Sequence, residues 1–128
     1  MKEILEKDIL KENIEAIDLL ERLGCSRAKA RLLIYFITEK EGKSREMERA
    51  MDLRQPEISL GMRELVKGRF VTRQFLKKHG KGRPEIFYTA ITPKELLSKV
   101  EEETIRKLNK IKSDMVKLKA LIKDVKND

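Results

Sequence analysis

The sequence has a single cysteine, Cys25, and a single histidine, His79. A lone thiol cannot close an internal disulfide, so a reducing, cytoplasmic setting is expected. One Cys and one His also cannot supply the ligand set of a zinc site. Long hydrophobic runs are missing. The longest, Leu32 to Ile37, is far below the roughly 20 residues that span a bilayer. Met1 is followed by Lys2 and Glu3 with no apolar h-region, so no signal peptide is expected. Aromatic residues make up 5% of the chain, which leaves Ile, Leu, Val and Met to build the core. There is no phosphate-binding glycine loop, no metal-ligand cluster and no nucleophile–base pair. These absences point away from an enzyme, a cofactor and a membrane.

What is present in excess is positive charge: 30 Lys and Arg against 22 Asp and Glu, a net +8 over 128 residues. Its placement is uneven. Residues 1–42 carry 8 basic and 9 acidic side chains, residues 43–83 carry 12 and 5, and residues 84–128 carry 10 and 8. A merely solvated surface does not require this bias, whereas a surface that neutralises phosphates does.

The basic segment is also the most patterned. Ser44 is a candidate N-cap. After it, Met47, Ala50 and Met51 recur on one helical face, and Leu53–Arg54 interrupts the pattern. Gln55–Pro56 restarts it, with Pro in the first turn, where its missing N–H is harmless. Ile58, Met62, Leu65 and Val66 give the second helix an apolar face, and Gly68 ends it as an expected left-handed residue. From Phe70 to Leu76, and again from Ile86 to Ile91, the period falls to two, as in strands. Residues 77–84 between them form a basic loop with two glycines.

Helix, turn, helix and hairpin is the winged helix-turn-helix order. The stretch 26–91 resembles winged-helix transcriptional regulators of the MarR/ArsR-like, archaeal type. The residues that carry the likeness are Leu53 before the second helix, the QPEIS opening, Arg63-Glu64-Leu65 with Gly68, and the closing RPEIFYT. The resemblance implies a mainly α fold with a small β-hairpin wing, and binding to double-stranded DNA.

Residues 3–21 read as one amphipathic helix, with Leu5, Ile9, Asn13, Ala16 and Leu20 on a face and Ile4 and Ile17 beside it. Gly24 is its candidate C′ residue. Ser26 can cap a helix over 27–40, apolar on more than one face and therefore central. Glu41, Gly42 and Lys43 read as a loop. Thr92–Pro93–Lys94–Glu95 is a capping box opening a helix that nothing breaks before about Lys126. At 1.5 Å per residue that helix is roughly 50 Å long. Leu108, Ile111, Met115, Leu118, Ile122 and Val125 alternate spacings of 3 and 4, as a and d positions of a coiled coil do. Leu97, Val100 and Thr104 precede them with the seam locally shifted. A long helix with an apolar stripe implies a homodimer. Residues 2–21 hold 3 basic and 7 acidic side chains, and residues 105–128 hold 8 and 3. The N-terminal helix is therefore expected beside the C-terminal one, within a subunit or across the dimer. Three regions result: a supporting helix over 1–24, the winged helix-turn-helix over 25–91, and the dimerisation helix over 92–128.

The candidate DNA-binding residues are Arg54, Gln55, Glu57, Ser59, Arg63, Lys67, Arg69, Arg73, Lys77, Lys78, Lys81 and Arg83. A recognition helix over about 55–67 would enter the major groove. There Gln55 suits adenine, and Arg54 or Arg63 suits guanine. Ser59 can touch a phosphate or a base. Glu57 either accepts from cytosine or favours the helix N-terminus electrostatically. Gly61 permits close approach of DNA or of another helix. The wing, 77–84, would lie on the backbone, with Arg83 able to enter a minor groove. His79 is either a pH sensor or a phosphate contact. Cys25 is either a redox switch, its pKa lowered by the helix that follows, or an incidental thiol. Two other readings are a non-specific architectural DNA-binding protein and a winged-helix module that recruits a protein. No separate ligand domain is visible, so an effector would have to bind between the helical dimer and the DNA-binding lobes.

Overall fold

The computed structural model describes residues 9–76 and 85–123. Residues 9–12 are helical and Asn13 breaks the helix, so the continuous helix expected over 3–21 is corrected. Asn13 sits at φ −116°, ψ 16°. Its side-chain amide donates to the Ile9 carbonyl at 2.8 Å, taking the acceptor that its own backbone N–H would use in a helix. Helix α1, Ile14–Arg22, follows and buries Ile17 and Leu20. Gly24 then adopts φ 105°. The Gly24 and Cys25 amides donate to the Glu21 and Leu20 carbonyls, both at 3.0 Å, the two bonds of a Schellman ending.

Helix α2, Arg27–Glu39, is the floor of the domain. The Ser26 hydroxyl accepts from the Lys29 amide at 3.1 Å, capping it as expected. Ala30, Leu32, Leu33 and Phe36 are almost wholly buried on different sides of it. Lys40 turns the chain at φ 68°. Glu41–Gly42 is then not a loop but a short strand, β1, paired antiparallel to residues 88–89. Two residues carry no detectable period, and their partner lies far along the chain. Gly42 makes room here, since a Cβ would meet the Tyr35 hydroxyl at 2.3 Å and force that buried ring to shift.

Strand β1 also moves the next helix start. Lys43 remains extended and is the N-cap of α3, Ser44–Met51, so Ser44 is the first helical residue instead of the cap. The Glu46 carboxylate accepts from the Lys43 amide at 3.0 Å. Met47, Ala50 and Met51 are buried, Asp52 turns the chain in a left-handed conformation, and Leu53 is buried. Helix α4 is Gln55–Lys67, with Pro56 in its first turn. Ile58, Gly61, Met62 and Leu65 are buried, but Val66, expected on the same face, is 38% exposed. Gly61 takes its place: a Cβ there would lie 2.5 Å from Leu32 Cδ1 and 3.2 Å from the Ala28 Cβ. Gly61 therefore serves the helix–helix contact. Gly68 is right-handed, contrary to expectation, and the left-handed residue is Arg69 at φ 62°. Gly68 is needed for space, because a Cβ would press on the Phe70 ring at 2.8 Å.

Strands β2, Val71–Leu76, and β3, Glu85–Ala90, pair antiparallel from Val71 with Ala90 to Leu76 with Glu85, in sheet order β1-β3-β2. Helix α5, Pro93–Leu121, starts at Thr92, whose hydroxyl accepts from the Glu95 amide at 3.2 Å. Ile122 leaves the helix at φ −115°, short of the expected Lys126; residues 124–128 lie outside the described residues. Leu96 and Val100 anchor α5 in the core, while Leu97 faces out at 55% exposure. Polar ties reinforce the anchor. Lys29 Nζ reaches Glu103 at 2.7 Å and lies 5.1 Å from the Phe70 ring centroid. Lys99 Nζ donates to the Gly68 carbonyl at 3.3 Å, and Lys107 Nζ to the Gly24 carbonyl at 3.2 Å. Helix α1 packs on α2, so within one chain its main neighbour is not the basic end of α5. The result is a mainly helical winged helix-turn-helix with a small antiparallel sheet and a long C-terminal helix. Among the described residues, no helix is long and apolar enough to cross a membrane.

The close approach of α4 to α2 supplies a test. Gly61→Val forces a branched side chain into Leu32, which is fully buried and cannot retreat. Overpacking of this kind costs about 1–3 kcal/mol, more than any gain in helix propensity over Gly returns. Urea denaturation is expected to show that loss with an unchanged m value.

Candidate nucleic-acid interface

The geometry of α3 and α4 is set from α2. The turn between them leaves backbone carbonyls at the end of α3 that need donors. Arg31 supplies one, its Nη1 donating to the Met51 carbonyl at 2.7 Å, with Asp52 at 3.4 Å. Arg27 donates to the Asp52 carbonyl at 3.3 Å and pairs through its other nitrogen with Glu57. Two cations at a helix C-terminus also oppose its partial negative charge. Burial pulls the Arg31 guanidinium below its ordinary pKa, with the neighbouring Arg27 adding to the effect.

Glu57 is committed to this scaffold. Its Oε1 accepts the Arg54 amide at 3.2 Å, and its Oε2 meets Arg27. The backbone hydrogen bond, followed by the bond to Arg27, holds its carboxyl below the usual range against the opposing effect of desolvation. The structure thus puts Glu57 at the helix N-terminus, the second of its two expected roles.

Between α4 and the hairpin runs an open groove of about 470 Å³. Gln55, Ser59, Arg63 and Lys67 follow one another at intervals of four along α4, one ridge roughly 18 Å long. Arg73 on β2 faces them, and Ser44 and Tyr88 complete the walls with Ile58, Met62 and Val66. Among the described residues, three cations line this groove and no carboxylate does. Of the expected DNA-binding residues, it brings together Gln55, Ser59, Arg63, Lys67 and Arg73. Arg54 and Arg69 are exposed but lie off the groove, at the two ends of α4. Lys77, Lys78, Lys81 and Arg83, together with His79, lie outside the described residues.

The base of the hairpin is fixed to the start of α3. Lys43 Nζ pairs with Glu85 at 2.6 Å, and that hydrogen bond raises the Lys43 pKa. The Arg73 guanidinium lies 5.3 Å from the Phe75 ring centroid. Such a stack orients the cation while leaving it charged. Phe75 and Ile86 are a cross-strand pair, both exposed. Leu60 is 58% exposed on the outer side of α4. Sequence reasoning passed over Ser44 and Tyr88 as groove residues. Neither carries a signal of its own, and only the sheet register places them.

Cys25 is half-buried, and burial pushes its thiol up in pKa despite Lys29 and Lys107 nearby. The lowered pKa expected of a redox switch is therefore corrected. The helix that follows spends its first-turn amide on Ser26. Among the described residues there is no cluster of three or more His, Cys, Asp or Glu able to hold a metal.

The state of Glu57 can be tested through pH. A carboxylate whose folded pKa is depressed contributes stability that is present above its unfolded value, near 4.3, and lost as pH falls. Wild-type stability is expected to drop more steeply between about pH 5 and pH 3 than that of Glu57→Gln, which has no carboxylate there to protonate. Urea midpoints measured across that range check this.

No protein-family model matches the chain, and no curated protein matches it. Among solved structures, the chain is similar to one described as the crystal structure of a transcriptional regulator. The two are 20% identical, and the match covers 93% of this chain and 78% of the other, with a TM-score of 0.58. The chain shares the fold of that regulator over nearly its whole length.

Proposed function

We propose that the protein is a homodimeric, sequence-specific DNA-binding transcriptional regulator. Helix α4 would lie in the major groove, and the wing, residues 77–84, on the backbone and minor groove. The observation that carries this reading is the ridge of Gln55, Ser59, Arg63 and Lys67, faced by Arg73 across a groove with no carboxylate among its described lining residues. Side chains at intervals of four form one inclined ridge along a helix, so Gln55 and Arg63 can read base edges while the cations around them hold phosphates. The regulator with the same fold supports the reading. The dimer rests on the exposed apolar stripe of α5, where Leu108, Ile111, Met115, Leu118 and Ile122 are 46–60% exposed. Val125, the last residue assigned to that stripe, lies outside the described residues.

The division between reading and gripping is testable with DNA selected from a random pool. Arg73→Ala, and Lys81→Ala with Arg83→Ala, are expected to weaken binding on every sequence. Each should flatten the salt dependence by about one unit of log–log slope for every phosphate that is no longer neutralised. Gln55→Ala or Arg63→Ala should instead relax base preference at one position, at a cost of roughly 1–3 kcal/mol. Competition binding at several salt concentrations separates the two patterns. Equal weakening on all sequences for all variants would favour a non-specific architectural protein. Failure to bind DNA at low salt would favour a module that recruits protein.

A further inference from the structure

Beyond its anchor in the core and the Lys107–Gly24 bond, α5 lies in solvent: among the described residues, every one from Ile105 to Lys123 is exposed. Its apolar stripe starts earlier than the spacing of 3 and 4 suggests, because Leu97 joins it at 55% exposure while Val100 turns into the domain. The stripe therefore runs from Leu97 to Ile122, roughly 38 Å of helix. Charge along the helix is lopsided. Residues 93–104 hold 2 basic and 4 acidic side chains, and residues 105–123 hold 7 basic and 1 acidic.

Two copies laid parallel would set the basic halves side by side. Lys107 of each would flank Lys112 of the other, the pairing that a parallel coiled coil imposes beside its seam. Reversing one copy sets the acidic half of each against the basic half of the other and opposes the helix dipoles. We propose that the occupant of this stripe is a second copy of the chain, with its α5 antiparallel and the two-fold axis beside Asn109 and Lys110. This rests on the homodimer reading above and assigns it an orientation and a register. Leu108 then faces Ile111 of the second copy, Thr104 faces Met115, and Leu97 faces Ile122. Lys107 lies beside Asp114 of the second copy. Glu101 faces Leu118 there, with Lys117 and Lys119 on either side of it.

The arrangement also sets how far apart the two domains attach. The domains hang from the seam at Val100, and the two Val100 residues lie roughly 28 Å apart along it.

Cysteine trapping in the full-length chain, in a Cys25→Ser background, tests the register. A disulfide needs Cα atoms within about 7 Å. A chain carrying Thr104→Cys, co-expressed with one carrying Met115→Cys, is expected to shift to a covalent dimer on mild oxidation. Neither variant alone should do so, since the two Met115 residues would lie roughly 16 Å apart. Linking by Met115→Cys alone, as complete as in the mixture, would overturn the antiparallel orientation and leave the dimer standing. A chain that sediments as a dimer but links in no combination would overturn the register. A chain that sediments only as a monomer would overturn the dimer and this inference together.

Discussion

The approach of α4 to α2 at Gly61 sets the rest of the fold. With no side chain at that position, the two helices meet with Leu32 and Ala28 against bare backbone. This depth of contact lets Ile58, Met62 and Leu65 reach the core while the opposite ridge of α4 stays in solvent. It also brings Arg27 and Arg31 of α2 within reach of the turn before α4. A helix held at its middle by packing and at its start by ionic bonds presents its outer side chains in a fixed frame. That frame suits the proposed base reading, because discrimination falls away when the donor can wander.

Two groups of cations stand in contrasting surroundings. Arg27, Lys29, Arg31, Lys43, Lys99 and Lys107 are engaged inside the molecule, with carboxylates or with backbone carbonyls. They join elements that lie far apart in sequence: α2 to the turn, the start of α3 to β3, α5 to the body of the domain. Arg63, Lys67 and Arg73 line the groove, where no carboxylate stands among the described lining residues. Exposed ion pairs add little stability in water. A cation without such a pair is in turn better placed to exchange counterions for phosphates. The same residue types thus build the scaffold in one set of positions and leave the groove electropositive in another.

The long helix joins the domain to its proposed assembly. Only Leu96 and Val100 of α5 are buried, and the polar ties at Glu103 and Lys107 extend the attachment by about two turns. Beyond that point the helix is held by its own hydrogen bonds. An apolar stripe of this length in water is stabilised by burial against a partner, at roughly 25 cal/mol per Å² removed from solvent. The stripe therefore couples the geometry of any assembly to the domain through a single rigid rod, without a flexible joint between them.

Most of the secondary structure could be read from periodicity and caps. The helix over 27–39, the buried face Met47–Ala50–Met51, the two wing strands and the Thr92 start of α5 follow from local pattern and hydrogen-bonding chemistry. The charge bias toward residues 43–83 could also be counted before any fold was known. The sequence by itself therefore determined the order of elements and the sign of the surface, because both depend on neighbours a few residues apart. Only the tertiary structure decided what depends on residues distant in the chain. The pairing of Glu41–Gly42 with β3 moved a helix cap from Ser44 to Lys43. The contact with Leu32 explained Gly61, and the Phe70 ring explained Gly68. The bond to Arg27 took Glu57 out of the groove, and the sheet register brought Tyr88 and Ser44 into it. Val66 and Val100 changed faces for the same reason: spacing determines which residues share a stripe, but the neighbouring elements determine which stripe is covered.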